Sequence, residues 1–440
     1  MSREKTTATT RTLAPWDTRR WSQNASALAL IAAGALLAGC ASGSTNQGAP
    51  NPEASAASAT TPSAAVAEAG AATPRLVLTY DGGLLVADAR NGEVVSDLAL
   101  AGFNRVNPAG DGRRALVSTA GGFQVLDTGA WSEKHGDHSH HYTSTPALTD
   151  LIFPAQKPGH AVAHADHTAL FDDGTGKISI FESAKLDNAA LPNAEVVSSP
   201  EAHHGVAVQL SDGKLLTTEG NADSRNTIKL LSAPNAKDQR ETVAKNNQCP
   251  GVHGEATAKD ETVVVGCEDG ILIIKDEKIS KVEAPDTYGR IGNQVGSEVS
   301  SVVLGDYKTE KDAELERPQT FSLTDTASNK LKLVDIDYSY SFRSLGRSLV
   351  GEALLLGTDG ALHIYDEATG KETNSIPVVD AWEEPVDWQQ PRPALHVSGN
   401  TAFVTEPATS QLHFVDLATG KVSNSVLLPK VPNEITSIKG

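Results

Sequence analysis

Runs of four to seven residues rich in Val, Leu, Ile and Phe recur from residue 74 onward. Examples are Arg75–Tyr80, Leu84–Ala87, Ala115–Ser118, Phe123–Leu126, Thr168–Phe171, Ile178–Phe181, Lys214–Thr218, Thr262–Val265 and Ile271–Ile274. Gly, Asp and Asn stand between them. Short apolar runs of this kind, with period-two alternation and turn formers between, predict strands joined by tight turns. No long segment carries an apolar helical period, so the pattern predicts an all-β fold.

The pattern also repeats. Ile364-Tyr365-Asp366-Glu367-Ala368-Thr369-Gly370-Lys371 returns as Phe414-Val415-Asp416-Leu417-Ala418-Thr419-Gly420-Lys421, and Asn374-Ser375 returns as Asn424-Ser425. A weaker copy runs from Val86 to Glu93. Each copy is a strand ending in Asp, a Gly-bearing turn and a second strand, as in the outer hairpin of a β-propeller blade. The spacing matches the blade length of propellers. Four-stranded antiparallel blades are expected near 102–147, 152–198, 201–245, 250–284, 295–343, 346–380 and 390–429. Residues 75–100 supply the outer part of one more, and Asn433–Ile438 can add its inner strand and close the ring. Eight blades are expected, with seven as the alternative. Closure by both chain ends removes exposed sheet edges.

Residues 1–39 stand apart from this pattern. Arg19-Arg20 precedes an apolar stretch, Ala25–Leu37, and Leu37-Ala38-Gly39-Cys40 resembles a lipobox. The stretch is too short to span a bilayer and ends at a cleavage signal, so it reads as a lipoprotein signal peptide with Cys40 as the lipidated residue. Arg19-Arg20 as a twin-arginine signal is the weaker reading. Residues 40–73 are almost all Ala, Ser, Thr, Gly, Pro and Asn, with Glu53 and Glu68 the only charges. That composition predicts a disordered tether. The propeller domain is then 74–440, lipid-anchored on the outer face of the cell membrane. Loss of residues 1–39, which carry five Lys/Arg and two Asp/Glu, takes the formal charge from −18 to −21. So acidic a chain disfavours nucleic acid and anionic lipid as partners. Of three Cys, Cys40 belongs to the lipobox; Cys249 and Cys267 remain and read as a disulfide in an oxidising compartment.

The candidate chemistry lies in histidine. Seven of the thirteen His fall between His135 and His167. Dense His with Asp is a compositional signal for metal. Three successive blades open with Pro158-Gly159-His160, Ala202-His203-His204-Gly205 and Pro250-Gly251-Val252-His253-Gly254-Glu255. Innermost strands converge on the channel, so His160, His204 and His253 are expected to meet at one mouth. Three imidazoles leave the fourth tetrahedral position open. In the segment His135–His141, His138 and His140 should project to one side and His141 to the other, with Asp137 adding a carboxylate. The candidate ligands there are His135, Asp137, His138 and His140. This segment reads either as fourth-ligand donor to the channel site or as a separate, looser capture site. His164 and His167 are expected at the opposite end of the channel, and His363, His396 and His413 in structural roles. Imidazole with some carboxylate suits Zn²⁺, Cu²⁺ or Ni²⁺; a Cu(I) site would want Met or Cys.

The motifs His135-Gly136-Asp137-His138-Ser139-His140-His141-Tyr142, Lys157-Pro158-Gly159-His160, His203-His204-Gly205-Val206-Ala207-Val208, and Cys249-Pro250-Gly251-Val252-His253-Gly254-Glu255-Ala256 with Gly266-Cys267-Glu268-Asp269-Gly270 resemble the AztD-type zinc metallochaperones. That family comprises periplasmic β-propellers encoded with an ABC zinc importer. The resemblance implies a non-enzymatic protein that binds Zn²⁺ and passes it to the importer's solute-binding protein; a monomer is expected. Two departures matter: the lipobox, and a linker without histidine, so no capture by a His-rich N-terminus carries over. Two other readings compete. One is a metal-dependent hydrolase or lactonase-like propeller with Glu255 as base; the other is a docking propeller with a structural metal.

Overall fold

The computed structural model describes residues 65–440. The expected signal peptide and Cys40 lie outside the described residues, as does the greater part of the expected tether. Among the described residues there is no α-helix, only 3-10 turns at Ser183–Lys185 and Lys259–Glu261. The rest is strand and turn.

Eight antiparallel sheets of four principal strands follow one another along the chain, the eight-bladed propeller expected. Blade 1 is closed by both ends of the folded part. Ile435–Ile438 supplies its inner strand beside Arg75–Tyr80, Gly83–Asp88 and Val94–Ala99, with Ile435 opposite Leu78 and Ile438 opposite Arg75. Blade 2 is Arg105–Pro108, Arg114–Thr119, Gly122–Asp127 and Ala147–Pro154. Blade 3 is Pro158–His164, His167–Asp172, Lys177–Glu182 and Glu195–Ser198; blade 4 starts at Ala207–Gln209 and blade 5 at His253–Ala258. Blades 6, 7 and 8 start at Gln294–Val295, Leu345–Arg347 and Ala394–Ser398.

Eight hydrophobic clusters hold the ring, one at each seam between neighbouring blades. Leu84 and Val86 join Val106, Val117 and Leu126 at the blade 1–2 seam. Their sequence neighbours Leu85 and Ala87 join Phe403 and Phe414 at the blade 8–1 seam. A middle strand therefore buries both faces and reads as a continuous apolar run, as a strand covered on both sides must. The outermost strand Val94–Ala99 has one buried side, and it alternates between half-buried and exposed. Alternation is thus a property of outer strands here, whereas the richest apolar runs are the middle ones.

Two expectations are corrected. The tether predicted over 40–73 is shorter at its C-terminal end, because Ala67–Ala69 forms a strand paired with His138–Thr143. Composition marked these residues as unable to bury a core; they are held by backbone pairing instead. Blade 2, expected to end near 147, has its fourth strand at Ala147–Pro154. The His-rich segment is a hairpin, Ala130–His135 with His138–Thr143, inserted between the third and fourth strands of that blade.

The direction of the strands fixes where each His cluster lies. Blade 3 enters at Pro158, and its inner strand runs to His164, whose partner His167 starts the return. His160 is thus at the entry face, and His164 and His167 are at the opposite one, as expected. In blade 2 the third strand ends at Asp127 on that opposite face, and the hairpin leaves from there. Contacts agree: Thr128 Oγ1 donates to the Arg113 carbonyl, and Ser132 Oγ donates to the carbonyl of Gly440, just past the end of the closing strand. The channel histidines and the His-rich hairpin therefore occupy opposite faces of the ring. A seven-residue inner strand, roughly 20 Å long, separates the two faces.

Candidate metal centres

His160 stands third in the inner strand of blade 3, His204 just ahead of blade 4, and His253 first in blade 5. The three rings meet as their alignment at strand starts predicts. Ring centroids are 5.2 Å apart for His160–His204, 5.1 Å for His204–His253 and 5.8 Å for His160–His253. One ligand atom from each lies within 4.8 Å of the others.

Each imidazole has an oxygen on its far side. His204 Nδ1 donates to Asp173 Oδ2 at 2.5 Å, and His253 Nδ1 donates to the Gly292 carbonyl at 2.6 Å. His160 Nδ1 lies 3.3 Å from Glu255 Oε2. Carbonyl and ionised carboxylate oxygens only accept, so the bonded Nδ1 atoms of His204 and His253 carry protons, and on a neutral ring Nε2 is then the ligating atom. This is the outer arrangement that metal-binding histidines use. Burial, reinforced by the nearby His160, pushes His253 down to about 3, while the Gly292 carbonyl acts the other way. That ring is neutral throughout the physiological range and ready to ligate.

The glycines beside the histidines make room for these oxygens. A Cβ on Gly159 would stand 2.2 Å from Asp173 Oδ1, and one on Gly254 would stand 2.6 Å from the Gly292 carbonyl oxygen. Gly254 also has φ +72° at a register shift between His253 and Glu255, a bulge geometry suited to glycine. The Cys249–Cys267 pair expected from the sequence is a disulfide with Cα atoms 4.9 Å apart. It sits directly behind the site: Gly266, next to Cys267, lies opposite His253 in the sheet.

The hairpin carries a second cluster. His135, His138 and His140 also bring ligand atoms within 4.8 Å of one another. His138 Nε2 and His140 Nε2 are 3.2 Å apart, so both cannot carry a proton. His138 Nδ1 faces Asp137 Oδ1 at 3.2 Å, and His140 Nδ1 faces Glu68 Oε1 at 2.9 Å. His141 points the other way, onto Ser132 Oγ at 2.7 Å, as strand alternation requires. Of the four candidates in this segment, three histidines converge. Asp137 stands behind His138 rather than among the converging atoms.

Three residues of these centres were not singled out for this role by the sequence: Asp173, Gly292 and Glu68. Asp173 lies in the blade 3 turn Asp172-Asp173-Gly174, where two acids precede a glycine, and that was its only signal. Gly292 acts through its backbone and gave none. Glu68 lay in a stretch read as tether. The lone histidines have polar partners: His363 pairs with Asp359 and Glu372, His396 with Ser437, and His413 with Glu406 and Ser425.

No family model matches the chain. A zinc chaperone AztD of Citrobacter koseri is 26% identical over 356 residues, spanning 78% of this chain and 81% of that protein. The crystal structure of Citrobacter koseri AztD superposes with TM-score 0.71 at 24% identity, covering 84% of this chain and 99% of that one. Apo AztD from the same organism gives 0.70 at 23% identity, covering 84% and 98%. The chain is similar to zinc chaperone AztD. The likeness to AztD covers most of the folded part in sequence and in structure, so the family resemblance carried by the His motifs holds beyond the motifs themselves. At these identities the AztD superpositions bear on the fold.

Proposed function

We propose that this chain is an extracytoplasmic zinc chaperone that captures Zn²⁺ and hands it to the solute-binding protein of an ABC zinc importer. In this reading Cys40 carries a lipid that holds the protein at the outer face of the membrane. The observation that carries it is the channel triad. Three imidazoles converge at one mouth, with Asp173 and the Gly292 carbonyl accepting from His204 Nδ1 and His253 Nδ1 and Glu255 lying 3.3 Å from His160 Nδ1. The name of the AztD relative supports zinc as cargo.

Three protein ligands suit delivery. A tetrahedral cation held by three imidazoles keeps one position for an incoming ligand, so an acceptor can bind before the donor lets go. His160, His204 and His253 form the tight site. The exposed His135 and His138 and the half-buried His140, with Asp137 behind His138, form a separate capture site on the other face. The placement of the hairpin favours this over its serving the channel as fourth-ligand donor. The hydrolase alternative depends on Glu255 as base, and Glu255 lies against His160 Nδ1 instead.

The test is a zinc titration of the mature protein against a competing chelator, followed by mixing with a purified zinc-importer binding protein. Tight zinc binding and faster loading of the acceptor than from free zinc at equal chelator are expected. Absence of tight binding, or loading at the rate set by free zinc alone, overturns the reading.

A further inference from the structure

The two clusters differ in what holds them. The channel triad is oriented wholly by the propeller. The hairpin cluster takes one of its partners, Glu68, from the N-terminal strand Ala67–Ala69. That strand has three residues, and Ala67 and Glu68 are exposed while Ala69 is half-buried. It pairs on one side only, with Ala67 opposite Thr143, Glu68 opposite Tyr142 and Ala69 opposite His141. A short edge strand that buries so little apolar surface is marginal by itself. Among the described residues, its side-chain tie to the hairpin is Glu68 Oε1, which accepts from His140 Nδ1 at 2.9 Å.

That tie bears directly on the ligand atoms. By fixing the proton on Nδ1, Glu68 presents the Nε2 lone pair of His140 toward His138 Nε2, 3.2 Å away. A cation on Nε2 draws electron density from the ring, so Nδ1–H becomes a stronger donor to the carboxylate. We propose that Glu68 is a positioning residue of the hairpin metal centre, and that a Zn²⁺-like cation held by His135, His138 and His140 locks the N-terminal strand onto the hairpin. This rests on the reading of the hairpin as a zinc site. The coupling is reciprocal: a docked strand raises metal affinity by the factor by which metal favours docking. Release of the strand frees residues 65–72, about 25 Å of chain at full extension. Metal loading at the hairpin therefore changes the reach between the propeller and whatever precedes residue 65.

The experiment is hydrogen–deuterium exchange of the full mature chain with the channel triad replaced (His160→Ala, His204→Ala, His253→Ala), with and without Zn²⁺. Zinc should slow exchange in the peptide covering residues 65–72 by about tenfold or more. Glu68→Ala should abolish the zinc effect, exchange in that peptide being equal with and without Zn²⁺. It should also weaken hairpin affinity by roughly 10–100-fold, the loss usual for an outer-shell partner. Glu68→Gln, which keeps an acceptor without charge, should fall between. Equal protection with and without zinc overturns the clasp, as does unchanged affinity in Glu68→Ala. If the triad-replaced chain binds no zinc, the clasp falls too. The chaperone reading is then judged separately, by zinc binding at the intact channel of a His138→Ala/His140→Ala chain.

Discussion

Asp173 reaches across the seam between blades to hold His204, its Oδ2 accepting from the ring at 2.5 Å, and it fits there because Gly159 has no side chain. Asp173 belongs to the turn after the second strand of blade 3, Gly159 to that blade's inner strand, and His204 to the approach to blade 4. One ligand's tautomer is thus set by two residues of the neighbouring blade. Asp173→Ala should reduce channel zinc affinity by roughly 10–100-fold with the fold intact. Gly159→Ala should act in the same direction, since its methyl would displace the carboxylate. Chelator competition on both variants reads the effect. Wild-type affinity in Asp173→Ala would mean that burial alone orients His204.

The opposite faces make the two centres separable. His160→Ala or His253→Ala should remove tight binding at the channel while leaving one weaker site. His138→Ala with His140→Ala should leave channel affinity unchanged. Zinc stoichiometry at saturation should fall from two to one in each case. A hairpin variant that weakens the tight site would mean that the hairpin reaches the channel after all.

Most of the fold was legible because a propeller writes its period into the chain. The Asp-x-Ala-Thr-Gly-Lys turns at Asp366 and Asp416 marked equivalent hairpins, and middle strands buried on both faces stood out as apolar runs. The channel histidines were legible for the same reason, each falling at the start of an inner strand. What stayed hidden is what has no local pattern. The Gly292 carbonyl is a backbone atom, and Asp173 acts on a histidine 31 residues away. The strand around Glu68 exists only because a hairpin some seventy residues later offers it an edge. Composition alone, with alanine on both sides of Glu68, pointed to tether. The face from which the hairpin leaves depends on the strand order within blade 2, and the expected end of that blade near 147 fell before its fourth strand, Ala147–Pro154.

The disulfide links stability to the site. Cys249 and Cys267 are 18 residues apart, and Gly266 faces His253 across the first two strands of blade 5. A loop of this length contributes about 3 kcal/mol by constraining the unfolded chain. Cys249→Ser with Cys267→Ser should lower unfolding stability by about that amount in urea. It should also weaken channel zinc binding, because the strand carrying Gly266 loses its staple. Alkylation of both thiols without reductant would show that the bond does not form.

Acid stability should depend on His396, away from either metal centre. Its Nε2 lies 2.8 Å from Ser437 Oγ, joining the inner strand of blade 8 to the strand that closes the ring. Burial pushes this imidazole down to about 4, against an ordinary value near ~6.5 in an unfolded chain. Between those values the unfolded chain takes up a proton that the folded chain refuses. The stabilising contribution is therefore complete above about pH 6.5, declines as pH falls toward 4, and declines no further below that. The slope from one such group is at most about 1.4 kcal/mol per pH unit. His396→Gln keeps a polar group opposite Ser437 but cannot titrate. Urea unfolding in zinc-free buffer at pH 7 and pH 4.5 should show wild type losing up to about 2 kcal/mol more than the variant over that interval. Parallel losses would mean that the ring opens to solvent and accepts its proton in the folded state.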